Sequence, residues 1–395
     1  MRARVGSPKT NAVPDLPPGP QARFGGWRRP PSPHPAGDFA VPRPGPSDRP
    51  RPRRGPPYSA AMRAVVITKH GDPSVLQVQE RPDPPLQPGH VRVEVAAAGV
   101  NFADTMARTG LYPDAPKPPM VVGYEVAGTV TEAAADVEGI DAGARVMAGT
   151  RFGGYASQVV VPAATVVPLP DRLSFEQGAA IPVNYSTAWA ALIGYGSLRP
   201  GERVLIQAAA GGVGIAATQI AKRHGAEVHG TASPQKHDAI RANGVDVAHD
   251  YRKRGWDLDL DDRFDIVLDA IGGVSFRHSY RLLRAGGRLV AFGASAVQQG
   301  ERRNLRKAAP QALRMLRGFD LIRQMSDSKA VIGLNMLRLW DDRGTLEPWT
   351  DPLTALMEDG TIQPIVSDVV PFDRAADAHR VIAERRNVGK VVLVP

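Results

Sequence analysis

The chain has 395 residues, of which 43% are hydrophobic and 23% charged, a balance typical of a globular protein with more than one domain. It contains no cysteine, which excludes disulfide scaffolds, thiolate-held zinc and cysteine nucleophiles. The net charge of +9 comes almost entirely from residues 1–61, which hold 11 of the 49 Lys and Arg but only 3 of the 40 Asp and Glu. Because the rest is nearly neutral, we expect no nucleic-acid partner.

Residues 1–61 form a leader that differs in composition from the rest of the chain. They contain 16 of the 37 prolines and show no apolar periodicity, which predicts disorder. A basic interaction arm or a start codon assigned too far upstream would explain the leader, and we favour the second because Met62 opens a strong strand pattern. No apolar stretch follows Arg28 and Arg29, and no apolar run reaches 18 residues. We therefore expect a cytoplasmic protein.

Two patterns of secondary structure follow the leader. From Met62 to residue 186, short β-rich runs separated by Gly and Pro predict a β-barrel-like domain. From 187 to 326, strand-like runs alternate with helix-length segments, which predicts an α/β domain with a doubly wound parallel sheet. The β-rich runs lie at 63–67, 91–95, 126–130, 145–148 and 158–161, and the later strands at 203–207, 227–231, 265–269 and 288–292.

A glycine-rich turn follows the strand predicted at 203–207. Small residues there let the backbone approach a pyrophosphate, and the helix predicted at 213–224 offers N–H donors and a favourable dipole. The pattern is Gly-x-Gly-x-x-Gly with alanine in its first position. A plain tight turn is the alternative, but strand, turn and helix are in register, which favours dinucleotide binding. The predicted binding residues are Ala209, Gly211, Gly212, Val213 and Gly214.

The end of the next strand indicates which dinucleotide binds. NAD sites place a carboxylate there for the ribose 2′-hydroxyl, but this chain offers Ser233 and Lys236. A hydroxyl and an ammonium suit a 2′-phosphate, so we predict NADP(H) as the cofactor. Tyr251 and Arg252 follow the third strand and could flank the adenine or the phosphate. A solvated helix face for Lys236 and ordinary packing for Tyr251 are the alternatives.

Several spaced motifs resemble the zinc-free branch of the medium-chain dehydrogenase/reductase superfamily. The likeness is strongest to NADPH:quinone oxidoreductases of the zeta-crystallin type and to vesicle amine transport protein homologues. It covers the chain from residue 62 onward. The motifs are AGVNFAD at 98–104, GLYP at 110–113, GYEVAG at 123–128, AAAGGVG at 208–214 and VGKVVL at 388–393.

The resemblance implies a GroES-like catalytic domain and a Rossmann domain, with residues 327–395 returning to the first domain and ligands in the cleft between them. Zinc-dependent relatives carry a Cys near Asn101 and a His where Tyr124 stands, so we predict no metal site. Without a metal-bound alkoxide, the expected reaction is hydride transfer to an electron-poor acceptor such as a quinone or an α,β-unsaturated carbonyl.

The resemblance also implies catalytic residues near the nicotinamide. The Asn101 amide could hydrogen-bond the cofactor or the acceptor oxygen, and Tyr112 could donate a proton or anchor that oxygen. Asp104 is expected to fix local hydrogen bonds rather than to act as a base. Capping and ordinary packing are the alternatives for Asn101 and Tyr112. The family usually has a second tyrosine two residues after the aspartate, but Met106 stands there, which suggests a more apolar acceptor.

Four further residues are predicted to approach the nicotinamide. Thr187 could hold the carboxamide, although a helix cap would explain it as well. Gly293 and Ser295 lie in the loop expected beneath the ring. Lys390, in the closing Gly-Lys strand, could approach the cofactor or lie on the surface.

Two segments of the sequence could contact a membrane or another protein chain. Residues 301–323 are basic and amphipathic, so they could touch a membrane surface or bind an acidic partner, but we favour a core-facing helix with a solvated basic side. Residues 329–337 resemble a strand that pairs across a homodimer in this superfamily.

The main hypothesis is therefore an NADPH-dependent quinone or enone reductase whose partner is a small-molecule electron acceptor. One alternative is an enoyl-thioester reductase. The other is a non-catalytic nucleotide-binding scaffold or vesicle-associated protein.

Overall fold

The computed structural model describes residues 61–395 except 259, 261–262, 299, 302–304 and 317–318, so the prediction for the leader lies outside the described residues. The strands are β1 Ala61–Ile67, β2 Leu76–Pro82, β3 His90–Val100, β4 Met120–Val121, β5 Glu125–Ala133, β6 Arg145–Gly149, β7 Gln158–Pro162, β8 Val166–Pro168, β9 Arg203–Ile206, β10 Glu227–Ala232, β11 Val247–Asp250, β12 Phe264–Asp269, β13 Leu283–Ala291, β14 Ala330–Gly333, β15 Val366–Pro371 and β16 Lys390–Val394. The α-helices are α1 Phe102–Thr109, α2 Phe175–Gly178, α3 Pro182–Trp189, α4 Gly212–Arg223, α5 His237–Ala242, α6 Ser275–Leu282, α7 Leu305–Leu316, α8 Leu321–Asp327, α9 Met336–Arg343, α10 Glu347–Glu358 and α11 Ala375–Ala383.

The first domain is built on β3, a long strand with several antiparallel partners. It pairs with β5, β7 and β16 in a sheet of order β15-β16-β3-β5-β6-β8, and a smaller sheet of order β2-β1-β4 accompanies it. Val91, Val93 and Val95 alternate with polar residues along β3, and all three are buried. This alternation buries one face of β3 in the core of the domain.

The second domain contains a parallel sheet of order β11-β10-β9-β12-β13-β14. Its central strand β9 carries three consecutive buried residues, Val204, Leu205 and Ile206, because helices cover both faces of the sheet. The α/β class, with a GroES-like domain and a Rossmann-type parallel sheet, is thus confirmed.

The end of the chain returns to the first domain and touches the second on the way. The Gly389 N–H donates to the Ala210 carbonyl at 2.8 Å, and Gly389 also forms a parallel bridge with Gly211. Immediately afterwards, β16 pairs antiparallel with β3. Gly389 has φ +81°, and a Cβ there would lie 2.1 Å from the Ile365 carbonyl oxygen, so only glycine fits this crossing.

Two expectations for residues after 326 need correction. The predicted strand at 329–337 is shorter, because the Asn335 side chain accepts hydrogen bonds from the Leu337 and Arg338 N–H groups and caps the start of α9. The remaining strand, β14, pairs with β13, so the parallel sheet continues beyond the expected domain boundary at 326.

The basic stretch at 301–323 also differs from the favoured interpretation. It contains α7 and leads into α8, so no single helix keeps one apolar stripe toward the core. Ala308 is buried, but the side chains of Leu313 and Leu321 are 55% and 69% exposed. Arg302, Arg303, Arg317 and the side chain of Lys307 lie outside the described part of the chain. Where the structure describes the chain, it has no helix with both the length and the apolar character to cross a bilayer.

Candidate active site

A cleft of about 1040 Å³ opens where both domains contribute residues. The barrel contributes the start of α1 and the segment before β5, and the parallel sheet contributes the loops at the carboxyl ends of its strands. Most of the predicted site residues line it, namely Asn101, Tyr112, Thr187, Gly211, Gly212, Val213, Gly214, Ser233, Lys236, Tyr251, Gly293, Ser295 and Lys390.

The glycine turn presents backbone N–H groups to the cleft. Helix α4 begins at Gly212 with no side-chain cap, so its first N–H groups are available to an anion. A Cβ on Gly214 would lie 2.6 Å from the Ala208 and Ala209 carbonyl oxygens, so the helix can start this close to the strand only with glycine there. The turn therefore has the form that a dinucleotide pyrophosphate requires.

Ala209 is the exception within this turn. It was predicted to bind the cofactor, but it is fully buried and does not line the cleft. Its N–H donates to the Thr231 carbonyl at 3.0 Å, and its methyl group packs against Gly230 in the adjacent strand. Ala208, with φ +57°, lines the cleft in its place.

Cationic groups surround the outer end of the cleft, after β10. The Lys236 ammonium donates to the backbone carbonyls of Arg385 (2.7 Å) and Asn387. The pKa of Lys236 is lowered by partial burial and then by the charges of Arg252 and Arg385. Ser233 is buried beside them. Crowded cations that depress a lysine pKa form a favourable site for an added dianion.

A buried hydrogen-bonded triad lies at the inner end of the cleft. The Lys390 ammonium donates to Asn101 Oδ1 at 2.7 Å and forms an ion pair with Glu125 Oε1. Asn101 Nδ2 donates to the same Glu125 oxygen at 3.0 Å, while Glu125 Oε2 accepts from the Val183 N–H at 2.7 Å. Glu125 is fully buried and Lys390 is 3% exposed. The triad fixes both predicted residues, Asn101 and Lys390, in one orientation.

Asp104 is buried next to the triad and does not line the cleft. Its carboxylate accepts from the N–H groups of Asn101 (2.8 Å) and Gly123 (3.0 Å) and from the Tyr155 hydroxyl (3.0 Å). Complete burial raises the pKa of Asp104 to about 7, although these donors partly oppose the shift. The contacts make Asp104 a fixed point for the two cleft segments that carry Asn101 and Tyr124.

The Asp104 network continues away from the cleft to α11. Tyr155 Oη lies 3.4 Å from His379 Nε2, and Arg108 Nε donates to His379 Nδ1 at 3.2 Å. Burial lowers the pKa of His379 to about 3, and the Arg108 charge adds to this effect. A neutral imidazole with an accepting Nδ1 carries its proton on Nε2, so it donates toward Tyr155. The chain of hydrogen bonds therefore runs from the guanidinium to the carboxylate.

Two tyrosines of the first domain, Tyr112 and Tyr124, line the cleft. Tyr112 is half-buried, and its ring meets that of Tyr124 edge to face with centroids 6.3 Å apart. Burial raises the pKa of both hydroxyls. Within the described part of the chain, Tyr124 Oη and Ser186 Oγ are buried and have no hydrogen-bond partner. Unpaired buried polar atoms are rare in folded proteins, so these two are candidates for hydrogen bonds to a bound molecule or to a neighbouring side chain.

Sequence reasoning did not assign roles to Glu125, Tyr124 or Ser186. The GYEVAG motif contained the first two, and Tyr124 was considered only as a replacement for a zinc-binding histidine. Ser186 precedes Thr187, which is buried and lines the same wall. No local pattern signals the role of Glu125, because its partners Asn101, Val183 and Lys390 are far from it in sequence.

Comparisons with known proteins agree with this geometry. Residues 87–171 match the family model "Alcohol dehydrogenase GroES-like domain", and residues 243–393 match "Zinc-binding dehydrogenase". The chain is 36% identical over 341 residues to the synaptic vesicle membrane protein VAT-1 homolog of Rattus norvegicus, with 85% of this chain and 84% of the relative covered.

Three solved structures share the whole described fold. A mycobacterial protein complexed with NADPH has a TM-score of 0.72 and 28% identity, and covers 85% of this chain and 100% of its own. The quinone oxidoreductase of Coxiella burnetii has a TM-score of 0.69 and 25% identity, with 85% and 100% covered. The CurK enoyl reductase has a TM-score of 0.73 and 25% identity, with 84% and 99% covered. The chain therefore belongs to the medium-chain dehydrogenase/reductase superfamily of oxidoreductases, in the branch that contains the VAT-1 homologues.

Proposed function

We propose that this protein is a zinc-independent, NADPH-dependent oxidoreductase that reduces a quinone or an α,β-unsaturated carbonyl. The observation that carries the proposal is that Asn101 and Lys390, both bonded to the buried Glu125, line the cleft onto which the glycine turn opens. A dinucleotide lying along the turn would bring its nicotinamide to these polar groups.

The residues of the cleft fit the cofactor along its whole length. The N-terminus of α4 would receive the pyrophosphate, and the orphaned Ser186 hydroxyl with Thr187 would hold the nicotinamide end. When bound, NADPH supplies a hydride from its nicotinamide ring. Gly293 lets the backbone pass close to the Ala270 carbonyl oxygen, which a Cβ would approach to 2.7 Å, and so leaves room beneath that ring.

The chain's own groups would orient the acceptor and stabilise its developing charge. Asn101 and Lys390 each use some of their N–H groups within the triad, and the remaining ones are available to an oxygen in the cleft. Tyr112, at the edge of the cleft, has a raised pKa and is therefore protonated and able to donate to the acceptor oxygen.

Zinc independence is part of the proposal. The chain has no cysteine, and Tyr124 stands where zinc-dependent relatives carry a histidine. Tyr124 and its neighbour Glu125 are both buried, and the Glu125 carboxylate is engaged by Lys390, Asn101 and Val183. An electron-poor acceptor needs no Lewis acid to accept a hydride.

The activity is tested by following NADPH oxidation by the full chain with 1,4-benzoquinone, 9,10-phenanthrenequinone, a simple enone and crotonyl-CoA. We expect turnover with the quinones or the enone, unchanged by a chelator. Binding of NADPH without reduction of any acceptor would support the scaffold alternative and refute the enzymatic proposal. Failure to bind NADPH would refute the interpretation of the glycine turn.

The preference for NADPH has a separate test. Removing the Arg252 charge beside Lys236 should reduce the NADPH over NADH preference by about tenfold, which is typical of one lost contact to a phosphate. Arg241→Ala is the matched control, because Arg241 is an exposed arginine of α5 that does not line the cleft. Equal ratios in wild type, Arg252→Ala and the control would refute the assigned 2′-phosphate site.

A second candidate function is reduction of an enoyl thioester, which the similarity to the CurK enoyl reductase favours. Turnover confined to crotonyl-CoA in the same panel would select it. The proposed cofactor site serves both reactions, because they differ only in the acceptor.

The oligomeric state and the location of the protein are also proposals. We propose a homodimer formed through β14, which lies at the edge of the parallel sheet with its outer side available for pairing. A monomeric mass by light scattering would refute it. We propose a cytoplasmic location, which fractionation of cells expressing the chain would test, with recovery in the membrane fraction as the contradicting result.

A further inference from the structure

Of the two first-domain tyrosines that line the cleft, Tyr124 has a hydroxyl without a well-formed hydrogen bond among the described residues. Tyr124 is 91% buried, since its exposed fraction is 9%, and its hydroxyl lies out of contact with solvent. Within the described part of the chain, this hydroxyl has no partner with both the distance and the angles of a well-formed hydrogen bond. The nearby Tyr112 hydroxyl nevertheless contributes to its raised pKa, after burial and the charge of Asp104. The two rings meet edge to face, and Tyr124 acts as the hydrogen-bond donor toward Tyr112, which raises the pKa of Tyr124 and opposes the rise in the pKa of Tyr112.

The backbone of Tyr124 is held rigidly. The Gly123 N–H donates to Asp104 at 3.0 Å, and the Thr150 N–H donates to the Tyr124 carbonyl at 2.7 Å. Gly123 has φ +102°, and a Cβ there would lie 2.6 Å from the Tyr155 ring. Phe152 packs against the Tyr124 ring with centroids 5.2 Å apart. The orphaned hydroxyl is thus preorganised rather than mobile.

We propose that Tyr124 is a positioning residue for the reduction, and that its hydroxyl donates a hydrogen bond to the Tyr112 oxygen when Tyr112 serves the acceptor. This inference rests on the proposed function. Tyr124 would then supply the second tyrosine of the site from a different position in the chain than residue 106, where Met106 replaces the tyrosine that the family usually has.

The role follows from the balance of the reaction. A quinone that gains a hydride from the dinucleotide becomes a hydroquinone monoanion. A proton from Tyr112 then completes the hydroquinone, and the Tyr112 oxygen is left negatively charged until a proton taken up from bulk solvent restores its hydroxyl. A buried O–H group aimed at that oxygen stabilises its negative charge more than its neutral form, because hydrogen bonds to ionised acceptors are stronger.

The proposal predicts that Tyr124→Phe lowers the catalytic rate without lowering the stability of the protein. Tyr124→Phe keeps the ring and removes a hydroxyl that forms no bond in this structure, so the melting temperature should stay the same or rise. The kcat with 1,4-benzoquinone should fall about tenfold, as for loss of one charge-assisted hydrogen bond, while the KM for NADPH stays unchanged.

Three variants complete the experiment. Tyr112→Phe should lower kcat at least as much, and Tyr112→Phe/Tyr124→Phe should be no slower than Tyr112→Phe alone, because Tyr124 acts through Tyr112. Tyr280→Phe is the matched control, because Tyr280 is buried, bonded to Asp327 and outside the cleft. It should lower the melting temperature and leave kcat unchanged.

The outcomes separate this inference from the function beneath it. Wild-type turnover with an unchanged kcat in Tyr124→Phe would refute only the role of Tyr124. Multiplicative losses in the double variant, or a loss of NADPH affinity and melting temperature in Tyr124→Phe, would also refute it. If the wild type reduces no acceptor at all, the proposed function fails and this inference fails with it.

Discussion

The buried ion pair of Lys390 and Glu125 gives the most demanding prediction for stability. Lys390→Met should lower the free energy of unfolding by about 3–5 kcal/mol, the usual cost of leaving one buried charge unpaired. We expect a loss of this size because Glu125 is fully buried and Lys390 is its only basic side-chain partner among the described residues. Asn101 Oδ1 also loses its donor. A globular protein has only about 5–15 kcal/mol to lose.

The assay is equilibrium unfolding in urea at pH 7, with Lys222→Met as the matched control. Lys222 pairs with Asp246 at 2.8 Å, but both side chains are more than a third exposed, so we expect a loss below about 1 kcal/mol. Glu125→Gln/Lys390→Met removes both charges and keeps an acceptor for Asn101 and Val183. It should recover most of the stability lost in Lys390→Met.

Two results would refute this reasoning. A loss under about 1 kcal/mol in Lys390→Met would show that solvent reaches the carboxylate. A double variant as unstable as Lys390→Met would show that the lysine stabilises the fold by packing, not by pairing with Glu125.

Two further predictions concern the buried histidine and the glycine turn. His379 has a folded-state pKa of about 3, below its ordinary value of 6.5, so its contribution is complete above pH 6.5 and is lost as the pH falls toward 3. Between pH 7 and 4.5 this should remove about 2–3 kcal/mol of the wild-type free energy of unfolding. Urea unfolding of His379→Gln at the two pH values should show a loss that is smaller by that amount. Equal losses in the variant and the wild type would contradict the assigned pKa of His379. Gly214→Ala should weaken NADPH binding at least about tenfold in a fluorescence titration, because the added Cβ collides with the Ala208 carbonyl oxygen, whereas Gly333→Ala has open space and should bind like wild type. Unaltered binding by Gly214→Ala would show that the turn adjusts freely.

The sequence predicted the glycine turn better than the buried contacts around Glu125, for a physical reason. Gly211 and Gly214 act through local backbone geometry, so strand, turn and helix in register were sufficient to place them at the cleft. Ala209 occupies the same turn but points into the core, a difference that depends on the packing of β10 against it. Glu125 carried no local signal, because its partners Asn101, Val183 and Lys390 lie on three different elements.

Local patterns therefore determined the two domain types, the succession of strands and helices along the chain and the position of the dinucleotide turn. These features depend on apolar alternation and glycine-rich turns, which are encoded over a few residues. The tertiary structure alone decided the rest of the site. The Gly389 crossing brings Lys390 across 265 residues to Glu125, and the rigid Gly123 turn faces Tyr124 toward Tyr112. Contacts between residues this far apart depend on how the chain returns through both domains, and a single sequence carries no pattern for that return.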